Sequence, residues 1–231
     1  PYPPRIPPAP GIPPRPGIPP GPGIPPRPEI PRQPDIAPQP VIPPARVWLG
    51  QSGWPDRVYE RLFERRVVMV HGNLDDAAAT TLCAQLLTLD ADGDGPIRLE
   101  MQGLTAGLAP ALTVMGVLDV LRVPVRACVA GRLDGPALGI LACAPDRRAY
   151  PNAVFVLSEP EVSFAGSATS LASHEEQVRV MLDQLYLRLA DVTGREADEV
   201  RADARQGRYL TADDAVGYGL IHGPVADASG R

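Results

Sequence analysis

Short apolar runs alternate with amphipathic stretches along most of the chain. Four runs predict buried β-strands: Val67–Val70, Ile97–Met101, Val125–Val129 and Val154–Leu157. Successive strands are about 25 to 30 residues apart, which leaves room for a helix between them. This alternation predicts βαβ units around a parallel sheet, and therefore an α/β fold.

Helix signals fill the gaps between the first strands. One helix is predicted over Leu74–Leu89, with Asn73 or Asp75 as its N-cap. Another is predicted over about Leu108–Leu121, because Pro110 is tolerated in a first helical turn. Both helices would pack against the sheet.

The last third of the chain predicts one long and one short helix. In the long helix, which should end near Gly194, apolar residues follow 4-3-4-3 steps and form one narrow stripe. The stripe consists of Val178, Leu182, Leu185, Leu189 and Val192. Thr211 and Asp214 form a capping box for the short helix, and Gly219 is placed to end it.

The N-terminal segment has a different pattern. The first 44 residues repeat with a period of six, in which isoleucine recurs and proline generally follows it. Polyproline II has three residues per turn, so each isoleucine would return to the same edge of that helix. Proline has no N–H for a helix or sheet ladder, which argues against a core in this segment. The repeat positions are Ile6, Ile12, Ile18, Ile24, Ile30, Ile36 and Ile42.

These patterns divide the chain into a proline-rich arm over 1–46, a linker over 47–56, one α/β domain over 57–223 and a tail over 224–231. The arm is either a stiff spacer or a ligand for aromatic-lined grooves, since arginines follow proline in several repeats. Both interpretations place it in solvent.

Composition and charge argue against several classes of function. The net charge of −5 gives no reason to expect a nucleic-acid partner, and no apolar run approaches the ~20 residues of a membrane span. Cys83, Cys128 and Cys143 lack CxxC spacing, which indicates reduced thiols, a cytoplasmic location and no metal or other cofactor. All 22 lysine-or-arginine positions are arginine, so lysine-based catalysis is excluded within this chain.

An ordered set of motifs resembles the proteolytic subunit of the Clp protease, ClpP, over roughly Arg57 to Gly223. The resemblance implies a spiral of β-α units, an architecture shared with the crotonase superfamily. It also implies that the long helix is a handle joining two heptameric rings, with the stripe residues Val178, Leu182, Leu185 and Leu189 as an oligomer interface; ordinary core packing is the alternative. The motifs are Arg57–Phe63, Val67–Val70, Ala84–Leu89, Leu104–Leu108, Tyr150–Leu157 and Tyr209–Ile221.

The resemblance also implies that the catalytic residues have been lost. The family's serine opens the helix after the third strand, where this chain has Gly135, or Asp134 if the register shifts by one. No serine lies between Gly53 and Leu157. Ser158 occupies the histidine position, and Asp203 the aspartate position, where without an imidazole it is expected to be a surface or helix-cap carboxylate.

The oxyanion-binding region is predicted to be damaged as well. The residue after the nucleophile position is Pro136, which has no N–H to donate. The second donor comes from a glycine-rich loop after the second strand, and the matching segment around Gly103 is about two residues short.

We therefore expect a catalytically inactive ClpP-like subunit that assembles with itself or with an active homologue and modulates the complex. One alternative is an active serine-type endopeptidase with a relocated site, for which His71, His174, His222 and Cys143 are weak candidates. The other is a crotonase-like acyl-CoA enzyme, which needs two intact oxyanion donors. Arg98 and Glu100 share one strand face, where they form either an ion-paired surface or an altered docking site for a Clp ATPase.

Overall fold

The strands of the fold form one sheet that divides at its third strand. The strand order is β1-β2-β3-β4-β7, and β5 and β6 extend the other half of β3. All pairings are parallel except β5 with β6. The strands are β1 (Val67–Leu74), β2 (Ile97–Ala106), β3 (Val125–Asp134), β4 (Asp146–Ala149), β5 (Val154–Leu157), β6 (Arg208–Thr211) and β7 (Gly223–Pro224).

This computed structural model describes the backbone of residues 54–160 and 168–225, and the side chains of 57–160 and 174–225. The proline-rich arm, most of the linker and most of the tail predicted from the sequence lie outside these ranges. The helices are α1 (Trp54–Glu64), α2 (Asp76–Asp92), α3 (Leu108–Leu118), α4 (Ala137–Ala142), α5 (Ala168–Thr193), α6 (Ala197–Gln206) and α7 (Ala212–Tyr218).

The α/β class and the spiral of β-α units are confirmed by this topology. β3 pairs with β4 through its first half and with β5 through its second half, so the chain winds around one long strand. The side chain of Asp75 caps α2 through the amide of Ala78, and Thr211 forms the expected capping box with Asp214. The long helix α5 ends one residue before Gly194, as the sequence predicts.

Gly103 lies in a strand rather than in a loop. β2 continues to Ala106, with an irregularity in its pairing between Gln102 and Leu104. Gly103 has φ +53° at this bulge, a conformation that favours glycine. The expected short oxyanion loop over Met101–Leu104 is therefore corrected to a bulged strand.

α3, α4 and α5 pack so closely that a side chain would not fit on Gly139. A Cβ at Gly139 would lie 2.5 Å from Cδ1 of Leu185 and 2.6 Å from the sulfur of Met115. Contacts shorter than 3 Å are not tolerated without movement of the neighbours, so this glycine lets α5 approach α4. Leu185 and Leu189 are 2% and 4% exposed, and they belong to the core of the subunit.

Candidate functional site

The nucleophile and histidine positions predicted from the sequence meet in the structure. Gly135 joins β3 to α4, and its amide donates to the carbonyl of Val156 in β5 at 3.0 Å. Ser158 follows the end of β5. A Cβ built on Gly135 would lie 3.2 Å from Oγ of Ser158. Two ends of neighbouring parallel strands therefore bring these residues into one place.

The hydroxyl group of Ser158 donates its hydrogen bond to a carboxylate. Oγ of Ser158 donates to Oδ1 of Asp134 at 2.7 Å. The other carboxylate oxygen of Asp134 accepts from Nε of Arg132 at 3.0 Å, and also from Nη2. A carboxylate is a much weaker base than an imidazole, and this one is already ion-paired. The group beside Ser158 is thus poorly suited to activate it.

Pro136 stands where a backbone donor would be needed. It is the N-cap of α4, and the first amides recorded beyond it are directed at backbone carbonyls: Leu138 donates to Gly135 and Gly139 donates to Pro136, both at 3.0 Å. The residue after Gly135 therefore supplies no N–H to this site. At these positions the hydroxyl of Ser158 is hydrogen-bonded to a carboxylate, and position 136 carries no backbone N–H.

A protein-family model for the Clp protease matches residues 51–227 of the 231-residue chain. The chain belongs to the Clp protease family. The match covers the whole described α/β body, so the family and the fold agree with the resemblance inferred from the motifs.

In this Clp protease family member, Asp203 is held by structural contacts. It accepts a hydrogen bond of 2.8 Å from Oη of Tyr218, and Nη1 of Arg208 lies 3.0 Å from both of its carboxylate oxygens. Its side chain is only 13% exposed, so the expectation of a surface or helix-cap carboxylate is corrected. These contacts connect α6, which carries Asp203, to Arg208 in β6 and Tyr218 in α7.

The alternative nucleophile and bases lie in unrelated surroundings. Burial raises the pKa of the Cys143 thiol to about 12, which keeps it in its unreactive protonated form. Nδ1 of His222 accepts from the backbone amide of Arg147 at 3.1 Å. His71 lies in β1, and His174 lies in the exposed N-terminal part of α5.

The stripe on α5 divides between core and surface. Leu185 and Leu189 are buried within the subunit, so they have almost no surface to offer a second subunit, which corrects the expectation for these two residues. Val178 and Leu182 are partly buried. Two large apolar residues of this helix are exposed: Val180, at 45%, and Leu187, at 60%.

Neither a metal-binding cluster nor a membrane-spanning helix is present among the described residues. The described residues bring no three His, Cys, Asp or Glu side chains together in a way that could hold a metal ion. Of the helices within 54–160 and 168–225, none is both long enough and apolar enough to cross a bilayer.

The sequence did not reveal the partners that fill the site. The sequence offers Asp134 only through an alternative register, and no local pattern singles out Arg132. Ser158 lies 24 positions from Asp134 along the chain, so their hydrogen bond depends on the pairing of β3 with β5. The available signal was an aspartate at the end of one strand and a serine after the end of the next.

Proposed function

We propose that this Clp protease family member is a subunit without serine-peptidase activity, which assembles with itself or with an active homologue and modulates the resulting complex. The observation that carries the proposal is the hydrogen bond from Ser158 to Asp134 beside Gly135. A serine peptidase needs a hydroxyl, an imidazole and oxyanion donors together, and this site combines a glycine, a serine and a proline instead. A crotonase-like reaction is disfavoured by the same proline, since it also requires two backbone donors.

Assembly is supported by the family and by one surface of the body. α3 and α5 border a groove of about 550 Å³ lined by both apolar and charged side chains. Met115 and Leu187 contribute apolar surface to it, and Asp119 pairs with Arg188 at its edge. Subunit interfaces combine an apolar centre with a polar rim, and the groove offers both kinds of side chain. We therefore assign this groove, with Val178 and Leu182, to subunit contact.

Other partners belong to the same proposal. A Clp ATPase would meet the complex through its active subunits, and the proline-rich arm would bind an aromatic-lined groove on another protein or act as a spacer. The proposed location is the cytoplasm.

The peptidase part of the proposal is tested with the purified full chain. We expect no turnover of fluorogenic peptides and no labelling by a serine-directed fluorophosphonate, with an active ClpP as positive control. Labelling of Ser158, or of any other serine, close to one per chain would overturn the proposal and favour a relocated site.

Assembly is tested separately by native mass, for the chain alone and mixed with an active ClpP from the same cell. We expect a ring-sized species in at least one of the two samples. A protein that stays monomeric in both would contradict the assembly proposal and would leave the peptidase result unaffected.

A further inference from the structure

One face of the sheet carries a block of polar side chains in register across three parallel strands. Arg98 in β2 lies beside Arg126 in β3, which lies beside Asp146 in β4. Two residues further along the same strands are Glu100, Cys128 and Arg148. Residues i and i+2 of a strand point to one face, so all six share it. We refer to these six residues as the arginine grid.

The arginines of the grid use only part of their hydrogen-bonding capacity within it. Asp146 accepts from Nε of Arg126 at 2.5 Å and from Nε of Arg148 at 2.7 Å. Both arginines use Nε for these bonds. A guanidinium carries four further N–H groups on its terminal nitrogens. Those groups are the ones that grip a carboxylate in a forked arrangement. Arg126 and Arg148 therefore retain donors for a ligand.

The remaining ion pair of the grid has buried atoms without partners. Nη2 of Arg98 lies 2.5 Å from Oε1 of Glu100 and donates to Oη of Tyr150 at 3.0 Å. Among the described residues, Nε of Arg98 and Oε2 of Glu100 are buried and have no hydrogen-bond partner. Buried polar atoms in native proteins are normally satisfied, so unpartnered ones are expected where a ligand or water belongs.

A small cavity opens onto the grid. It has a volume of about 210 Å³ and is lined by Arg98, Arg126, Cys128, Asp146, Arg148 and Val225. Pockets for drug-sized ligands usually measure about 300 to 1,000 Å³, so this one fits a single small polar group. Three arginines against Asp146 and Glu100 leave a net charge of +1 on the grid.

We propose that the arginine grid binds a carboxylate of an acidic peptide segment on a partner protein. The forked guanidinium donors match a planar carboxylate, and the net charge of +1 balances one such group. A phosphate dianion is disfavoured because Asp146 lines the small cavity and the grid as a whole carries a net charge of only +1. The inference depends on the residues of the grid and not on the loss of peptidase activity.

The test uses the full chain and a fluorescein-labelled peptide of alternating glycine and glutamate, with an otherwise identical glutamine peptide as its counterpart. Fluorescence anisotropy should show binding of the acidic peptide only, and the affinity should fall as salt is raised. Replacing both Arg126→Gln and Arg148→Gln should weaken binding by at least about tenfold. The matched control is Arg179→Gln, which removes an exposed arginine that is ion-paired on α5.

A second variant is expected to strengthen binding, which misfolding could not do. Asp146→Asn removes the carboxylate that competes with the ligand and raises the net charge, so it should strengthen binding of the acidic peptide by about tenfold. Unchanged affinity in both the double variant and Asp146→Asn would overturn the proposal. Equal binding of the glutamine peptide would also overturn it. Inorganic phosphate that competes more strongly than acetate would refute the choice of a carboxylate.

Discussion

At the scale of single residues, Gly135 is required by the turn in which it lies. Its φ of +55° falls in the left-handed region, where an L side chain is strained. Its neighbour Ser158 leaves only 3.2 Å for a Cβ. A serine at position 135 would thus meet both backbone strain and a close contact. The turn therefore disfavours a side chain at position 135, in addition to the absence of a hydroxyl there.

Restoring the two family residues should therefore not restore catalysis. Gly135→Ser with Ser158→His is expected to show no measurable peptide turnover, because Pro136 still supplies no amide donor. Gly135→Ser alone should lower the free energy of unfolding by about 1 to 2 kcal/mol, measured by urea denaturation. Gly217→Ser is the control, since nothing lies within 4 Å of a Cβ at that position and its φ is not in the left-handed region. Turnover approaching that of an active homologue would refute the assigned register.

His222 should make stability depend on pH. Burial, followed by the nearby charge of Arg147, lowers the pKa of His222 below its usual range. The unfolded chain then binds this proton more readily than the folded one, so stability is lost as pH falls through about 6.5.

The check compares urea denaturation at pH 7.5 and 5.5. The wild type should lose more stability on acidification than His222→Gln. Equal losses in the wild type and in His222→Gln would exclude this histidine as a cause.

The sequence predicts which residues lie at the site, but not which side chains they contact. The ordered motifs place Gly135 and Ser158 at corresponding positions of the family, and the structure brings these two residues into contact. The bond between Ser158 and Asp134 could not be predicted, because nothing in either local sequence specifies which strand ends become neighbours. The hydrogen bond from Tyr218 to Asp203 could not be predicted for the same reason, since it joins two different helices.

At the scale of elements, the apolar strands were predictable and the polar ones were not. β1, β2, β3 and β5 begin at the predicted residues because their apolar runs are continuous. β4 has the sequence Asp-Arg-Arg-Ala, which lacks the apolar character of a buried strand. Its Arg147 is nevertheless buried, because Nε donates to the carbonyl of Leu220 and Nη1 donates to that of Ala144. Long-range backbone partners make that burial possible.

The two faces of α5 should respond differently to the same substitution. Leu185→Glu should unfold the subunit, because it would place an unpaired carboxylate in the core beside Gly139. Leu187→Glu should leave the fold intact and reduce the oligomer to smaller species, since Leu187 is exposed in the groove between α3 and α5. Circular dichroism and sedimentation velocity separate the two results. A folded Leu185→Glu variant would contradict the placement of this residue in the core.

At the scale of the whole molecule, the proline-rich arm and the α/β body should be separable. Deleting residues 1–46 should leave the oligomer unchanged apart from the mass of the arm, because a proline-rich repeat has no means of building a core. Sedimentation velocity of the deleted and full-length proteins provides the comparison. Dissociation of the deleted protein into monomers would show that the arm, rather than the body, holds the subunits together.

The contacts of Asp203 affect how a standard mutagenesis experiment should be interpreted. Its partner Tyr218 also lies against the guanidinium of Arg195, with 4.1 Å from the guanidinium carbon to the ring centroid, so the carboxylate anchors a packed cluster of side chains. An Asp203→Asn change would weaken this cluster whether or not any reaction took place nearby. Loss of a cellular phenotype in such a variant would measure the abundance of the folded subunit. A phenotype of such a variant would therefore not by itself be evidence of catalysis.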